Sequence, residues 1–204
     1  MIRGRRPPIG VARDHMARVM SIQGSIEEEL DSWLATPSLR VSHRQRSSAS
    51  PDTLWHAAVG LRLDQSPALG RLIQWRIPGT HGDQPFEQLF REPPFLVLAE
   101  RPQRALVSGL VGRIWTLRRD YPKLQTPQEF RDWSQRGTAR VVIANWVTEE
   151  PDGGGALWAE ARVQALGTQG HIGVAAVRPL VRAFEHLLGT ETLGAAVRAA
   201  ESGG

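Results

Sequence analysis

Apolar residues recur along the last third of the chain at two different periods. From Arg140 to Thr148 and from Leu157 to Leu166 they alternate around Glu150-Pro151-Asp152-Gly153-Gly154, the pattern of two antiparallel strands joined by a turn. From Val177 the period lengthens. Val177, Leu180, Val181, Phe184, Leu187 and Leu188 fall at the i, i+3, i+4, i+7 spacing that gathers side chains on one face of a helix. The pattern predicts one long helix over Val177–Ala200, its apolar face buried against the hairpin.

Centring the turn near Asp152 sets Val147 against Leu157, Asn145 against Ala159, Ile143 against Ala161 and Val141 against Val163, because side chains on paired strands alternate between faces. That face is apolar except for Asn145. The other carries Trp146 beside Trp158, Ala144 beside Glu160, Val142 beside Arg162 and Arg140 beside Gln164. It is expected to be amphipathic and wet, with the tryptophans an exposed cross-strand pair.

Upstream the elements are shorter. Ser25 with Glu28 three residues on predicts a short helix over Ser25–Ala35, since such a pair satisfies free N–H groups at a helix start. Leu39 to Ser47 alternates Leu39, Val41, His43 and Gln45 with Arg40, Ser42, Arg44 and Arg46, a strand with an arginine-rich wet face. Ser50-Pro51-Asp52 opens a helix to about Val59 by placing proline where a missing N–H costs nothing. Leu61 to Pro85 is the least regular part, with a helical turn within Ala68–Ile77 and loop chemistry at Gly79-Thr80-His81-Gly82-Asp83. Phe86–Phe90 reads as one more turn. Phe95–Glu100 and Ala105–Trp115 read as a second hairpin around Arg101-Pro102-Gln103-Arg104, and Thr126-Pro127 starts another short helical turn.

Charge changes this picture little. The calculated pI is 10.8, which invites a nucleic-acid reading, but residues 1–20 hold Arg3, Arg5, Arg6, Arg13 and Arg18 against Asp14 alone. That stretch accounts for the whole net charge of +4, so residues 21–204 are neutral. No helix-turn-helix, RNA-binding or zinc-finger spacing accompanies the arginines, and nucleic acid is not an expected partner. Residues 1–20 read as a flexible basic arm, which Met16 or Met20 could shorten if the true start lies there; residues 21–204 read as one domain. With no cysteine, disulfides and thiolate metal sites are excluded. No run approaches the roughly 18 apolar residues of a membrane span, and the basic start lacks the apolar core of a signal peptide. A cytoplasmic protein is expected.

The search for chemistry returns little. The six histidines, at 15, 43, 56, 81, 171 and 186, show no paired ligand spacing, and His81-Gly82-Asp83 reads as a polar turn. Gly153-Gly154-Gly155 lies in a hairpin rather than before a helix, so it cradles no phosphate. No G-x-S-x-G or S-x-x-K nucleophile motif is present. No catalytic residue, metal or cofactor is expected.

Several stretches taken in order suggest a family. Ser50-Pro51-Asp52-Thr53-Leu54-Trp55 resembles the "S-P-x-x-V/L-W" start of the first helix in the START-related helix-grip (SRPBCC) superfamily, which includes plant pathogenesis-related allergens, lipid-transfer domains and polyketide cyclases. Residues Leu106 to Trp115 resemble the "L-V-x-G-x-V-G-R-x-W" strand of an uncharacterised bacterial branch of it. Trp158 to Val163 is similar to that branch's "T-E-T-R-V" strand, and Arg178-Pro179 to the "R-P" of its closing helix. The resemblance spans residues 39–200. It implies an α+β helix-grip fold, a curved antiparallel sheet wrapped around a long C-terminal helix, with an internal cavity for a hydrophobic small molecule. It implies no catalytic residues, because the superfamily shares a fold rather than a reaction. Gly189 and Gly194 interrupt the closing helix and leave its length open.

The small side chains of Ala159 and Ala161 leave room opposite the closing helix. Either Phe184 and Leu188 fill it and Asn145 satisfies a backbone group, or it is a ligand cavity in which Asn145 is the orienting polar group. The cavity reading predicts a ligand site of Val141, Ile143, Asn145, Val147, Leu157, Ala159, Ala161, Val163, Val181, Phe184 and Leu188. The corresponding function is non-catalytic binding or carrying of a lipid or polyketide-like molecule. A cyclase or aromatase using the same cavity, or an interaction module acting through its surface, are the alternatives; the ligand's identity and the oligomeric state stay open.

Overall fold

A computed structural model describes residues 26–77, 79–116, 118, 121–187 and 192–202. The architecture is α+β, a five-stranded antiparallel open sheet with helices, consistent with a helix-grip fold. The elements are α1 (26–34), β1 (Leu39–Ser47), α2 (Pro51–Gly60), α3 (Pro67–Arg76), α4 (Phe86–Leu89), β2 (Leu96–Arg101) and β3 (Ala105–Gly112). They continue with α5 (Pro127–Asp132), β4 (Thr138–Glu149), β5 (Gly155–Leu166), α6 (Gly167–Leu187) and α7 (Gly194–Ser202). The strands lie in the order β1-β5-β4-β3-β2, so the first strand pairs with the last. The long chain segment between β1 and β2 therefore crosses the sheet, and it carries α2, α3 and α4.

The β4–β5 register is the one the alternation predicts. Val147 stands opposite Leu157, Asn145 opposite Ala159, Ile143 opposite Ala161 and Val141 opposite Val163. The turn closes through Glu150 N–H donating to Gly154 O at 2.8 Å, with Gly153 at φ 87°, a left-handed conformation suited to glycine. Two of the Ser/Thr-Pro helix starts also form as read. Ser50 Oγ accepts from Thr53 N–H, and Thr126 Oγ1 accepts from Glu129 N–H, each at 3.3 Å.

The structure corrects four expectations. In place of a single helix over Val177–Ala200 there are two, α6 and α7; α6 begins ten residues earlier, directly after β5, where Gly167 at φ 72° turns the chain out of the strand. Gly189 lies outside the described residues. The turn expected in Ala68–Ile77 is a ten-residue helix opened by Pro67. The strand expected to reach Trp115 stops at Gly112. Trp115 instead lies against α6, where a Cβ on Gly173 would stand 2.1 Å from its ring, so glycine permits the close approach.

The fourth correction concerns the outer sheet face, which is covered rather than wet. Helix α1 lays Ile26, Leu30 and Leu34, one turn apart, onto Ala105, Val107, Val142, Ala144 and Trp146, and Phe130 of α5 joins them. Trp146 is 1% exposed and stacks on Trp158, with ring centroids 5.5 Å apart and planes at 6°. The charges that suggested water neutralise one another. Arg162, itself buried, donates to Glu160 at 2.6 Å, to Asp31 of α1 at 2.5 Å and to the Leu34 carbonyl at 3.1 Å. Arg40 reaches the buried Glu160 carboxylate at 2.9 Å, while Arg44 and Arg46 share Glu150. The exposed arginines of β1 are thus the outer half of ion pairs whose inner halves are buried. The basic arm at 1–20 and the Ser25 cap lie outside the described residues.

Candidate functional site

The inner face of the sheet is built from every second residue of β3, β4, β5 and β1. Cross-strand rows bring Val41, Ala161, Ile143 and Ser108 together, and beside them Leu39, Val163, Val141 and Leu110. Helix α6 runs over these rows for about 30 Å at 1.5 Å per residue. It contacts β1, β4 and β5 and meets α3 at its side.

Sheet and helices do not close completely on each other. Among the described residues a pocket of about 170 Å³, partly open to solvent, lies between them. Val141, Ile143, Ala161 and Val163 form its floor, and Val177 and Val181 of α6 one wall. Leu72, Ile73 and Ile77 of α3 and its C-terminal end supply a second wall. Leu89, Phe90 and Phe95 close the end, where the rings of Phe86, Phe90 and Phe95 interlock edge to face at 5.0 and 5.2 Å. Leu110, Ile114 and Tyr121 complete the lining, so the Tyr121 hydroxyl is the sole side-chain polar group among the described lining residues.

Of the residues expected to line a ligand site, the pocket gathers Val141, Ile143, Ala161, Val163 and Val181. Asn145 and Ala159 stand one row further along, and Leu157 one row beyond them. Asn145 and Leu157 border a space of about 30 Å³ beneath α2 and α7, and Asn145 and Ala159 border one of about 20 Å³ beside His43. Each of these is the size of one or two waters. Val147 is packed in the core at 1% exposure. The Phe184 side chain and Leu188 lie outside the described residues.

The wall residues that sequence reasoning missed come from the irregular segment between β1 and β2. One signal for them was present. Ser66-Pro67 repeats the opening of α2, and Leu69, Leu72, Ile73 and Ile77 follow at the i, i+3, i+4, i+8 spacing of one helix face. Ser66 does not cap with its side chain; its carbonyl accepts from Gly70 N–H at 2.6 Å, and its hydroxyl lies 3.5 Å from that of Thr192 before α7.

Helix α7 closes the neighbouring corner. Leu193, Ala196 and Val197 pack on α2, and Glu201 accepts from the Ser47 hydroxyl and the Ser48 N–H, both at 3.0 Å. These donors, the backbone N–H first, hold the Glu201 carboxyl below its usual pKa. Among the described residues, no group of three or more His, Asp or Glu side chains stands together as a metal site, and no helix is long and apolar enough to cross a membrane.

No protein-family model and no curated protein matches the chain. Among solved structures it is similar to TTHA0849 from Thermus thermophilus, at 9% identity and a TM-score of 0.31, over 81% of this chain and 99% of that one. It is also similar to Ara h 8.0201, at 12% identity and a TM-score of 0.32, over 76% and 98%. CalU16 from Micromonospora echinospora aligns at 16% identity and a TM-score of 0.30, over 80% and 84%.

Proposed function

We propose that the protein binds and carries a hydrophobic small molecule in the pocket between the inner sheet face, α3 and α6. The observation that supports this reading is the pocket itself, apolar on every described side except Tyr121 and open to solvent. Its volume of about 170 Å³ is close to that of an engineered cavity of roughly 150 Å³ that binds benzene. The buried part of the ligand is therefore the size of one aromatic ring or a short alkyl chain, as in a lipid or polyketide-like compound. Burying that surface supplies the affinity, at about 25 cal/mol for each Å² removed from water. The described lining carries no carboxylate, histidine or lysine to move a proton, which favours carriage over a cyclase reaction.

The reading includes a helix-grip domain of the START-related kind over residues 21–204, a separable basic arm at 1–20, and action in the cytoplasm. Titration with N-phenyl-1-naphthylamine, a neutral probe that brightens in apolar surroundings, tests it. Saturable brightening, competed by short-chain alcohols, is expected; a flat titration would sink the carrier. Native mass spectrometry of protein purified from its own cells would identify a retained ligand by mass. A chain starting at Met20 is expected to keep its melting temperature.

A further inference from the structure

The three spaces along the inner sheet face surround one pair of polar side chains. Between Leu106 and Leu110 on β3, Ala139 and Val147 on β4, and Leu157 and Ala165 on β5, every inner-face side chain is apolar except Ser108 and Asn145. Ser108 stands opposite Ile143 and Asn145 opposite Leu106, so the two are diagonal neighbours on adjacent strands, roughly 7–8 Å apart at Cα. Neither is satisfied. Ser108 is 0% exposed and its hydroxyl has no hydrogen-bond partner; the half-buried Asn145 amide makes no side-chain hydrogen bond among the described residues. A buried hydroxyl or amide gives up its bonds to water, and a fold normally replaces them.

The indole N–H groups of Trp33 and Trp146 are unpartnered as well, but both rings belong to the filled outer layer. Around Ser108 there is room. On its own strand Leu110 lines the large pocket and Leu106 the space beneath α2 and α7, while Ile143 opposite it lines both the large pocket and the space beside His43. Asn145 borders the two smaller spaces directly. The large pocket and the space beside His43 share Phe90, Ile143, Ala161 and Val181 as lining, so they are adjoining parts of one gap between sheet and helices.

We infer that the ligand site continues past Phe90 to a polar end at Ser108 and Asn145, where the ligand places a neutral carbonyl or hydroxyl oxygen. This rests on the reading of the pocket as a ligand site. The serine hydroxyl and the asparagine N–H groups donate, and the asparagine carbonyl accepts. A ligand carbonyl oxygen therefore accepts from both residues, and a ligand hydroxyl accepts from Ser108 while donating to Asn145. No arginine or lysine is among the described lining of any of the three spaces, so a buried carboxylate would lack a permanent counter-charge and a neutral oxygen is the better fit. The apolar body of the ligand supplies affinity. The polar end supplies selectivity, because a ligand without the oxygen leaves both protein groups unpaired.

Displacement of bound N-phenyl-1-naphthylamine by acetophenone and by ethylbenzene, two molecules of similar shape, reads the polar end. The ratio of acetophenone to ethylbenzene affinity is expected to fall roughly tenfold, about 1.4 kcal/mol, in Ser108→Ala and in Asn145→Leu. Without ligand, Ser108→Ala should hold or raise the melting temperature, since it removes an unpaired hydroxyl; a clear fall would give that hydroxyl a structural partner and overturn the inference. The infrared carbonyl stretch of bound, isotope-labelled acetophenone should lie below its value in hydrocarbon solvent and return toward that value in both variants. If Tyr121→Phe lowers the ratio and the other two substitutions do not, the ligand oxygen belongs at Tyr121 and the inference falls. Stronger displacement by benzoate than by acetophenone would overturn the neutral oxygen. If the ratio is the same in every protein, the polar end is overturned and the carrier reading stands; if neither probe nor ketone binds, both fall.

Discussion

Ala144 and Ala161 are near neighbours on the β4–β5 hairpin and face opposite sides of the sheet. Ala144 is 0% exposed, surrounded by Trp146, Val142 and the apolar stripe of α1. Ala161 sits between Val41 and Ile143 and borders the open pocket. The outer face gained a short helix whose side chains fill it, and it accepted a buried ion network to do so. The inner face is spanned by a longer helix whose described side chains, Val177 and Val181, border a pocket. Packing on one side and space on the other suits the carrier proposed above, since the packed layer holds the floor in place while the opposite surface stays available. Gly109 shows how tight the outer layer is, since a Cβ there would stand 2.8 Å from Leu98 and Phe130.

The comparison breaks most sharply at Arg162. Arg162→Met should cost about 3–5 kcal/mol, because it leaves the buried Glu160 carboxylate with only Arg40 and releases Asp31 of α1. Chemical denaturation measures this, and a cost below about 1 kcal/mol would mean that the outer face is not the closed layer described. Next in size, Leu30→Ala is expected to cost about 2–5 kcal/mol by opening a hole under α1. Probe affinity of the folded fraction should not change, since the lesion lies across the sheet from the pocket; a parallel loss of binding would show that the two faces are coupled.

A matched pair of substitutions sharpens the contrast. Ala144→Leu overpacks the outer layer and should cost roughly 1–3 kcal/mol. Ala161→Leu adds the same bulk beside empty space, so stability should move by less than about 1 kcal/mol while probe binding is lost. Equal destabilisation by both would remove the distinction between the faces. The smallest expected effect is at Glu201. Its folded-state pKa is lowered by the Ser47 and Ser48 donors, so the tether of α7 to β1 is present above the unfolded carboxylate pKa of about 4.3 and is lost as pH falls through the lower folded value. Hydrogen exchange at the Ser48 amide should quicken on acidification, and Glu201→Gln should remove most of that pH dependence. An acid response unchanged in the variant would assign the tether elsewhere.

The strands were legible because a half-buried antiparallel pair writes itself as strict alternation. The turn at Asp152 then leaves one register that keeps Val141, Ile143 and Val147 on the same face. The Ser-Pro and Thr-Pro helix starts were legible for a similar reason, since both signals act within four residues. What the pattern could not say is which face would be dry. Glu160 and Arg162 look like solvent-facing residues in sequence. They are buried because Asp31 and Arg40, more than a hundred positions away, complete their charges.

The pocket shows the same division. Its floor follows from the alternation of β4 and β5, determined by the sequence alone. One wall, Val177 and Val181, follows from the helical spacing; the remainder comes from α3 and the residues around Phe90 and Tyr121, which the sequence does not set beside the sheet. Likewise the arginines were countable from the start, and their balance over residues 21–204 suggested a neutral surface. Only the fold decided that Arg162 would be buried against Glu160 and Asp31 while Arg40 stays at the surface, because pairing depends on distances between segments that the order of residues does not contain.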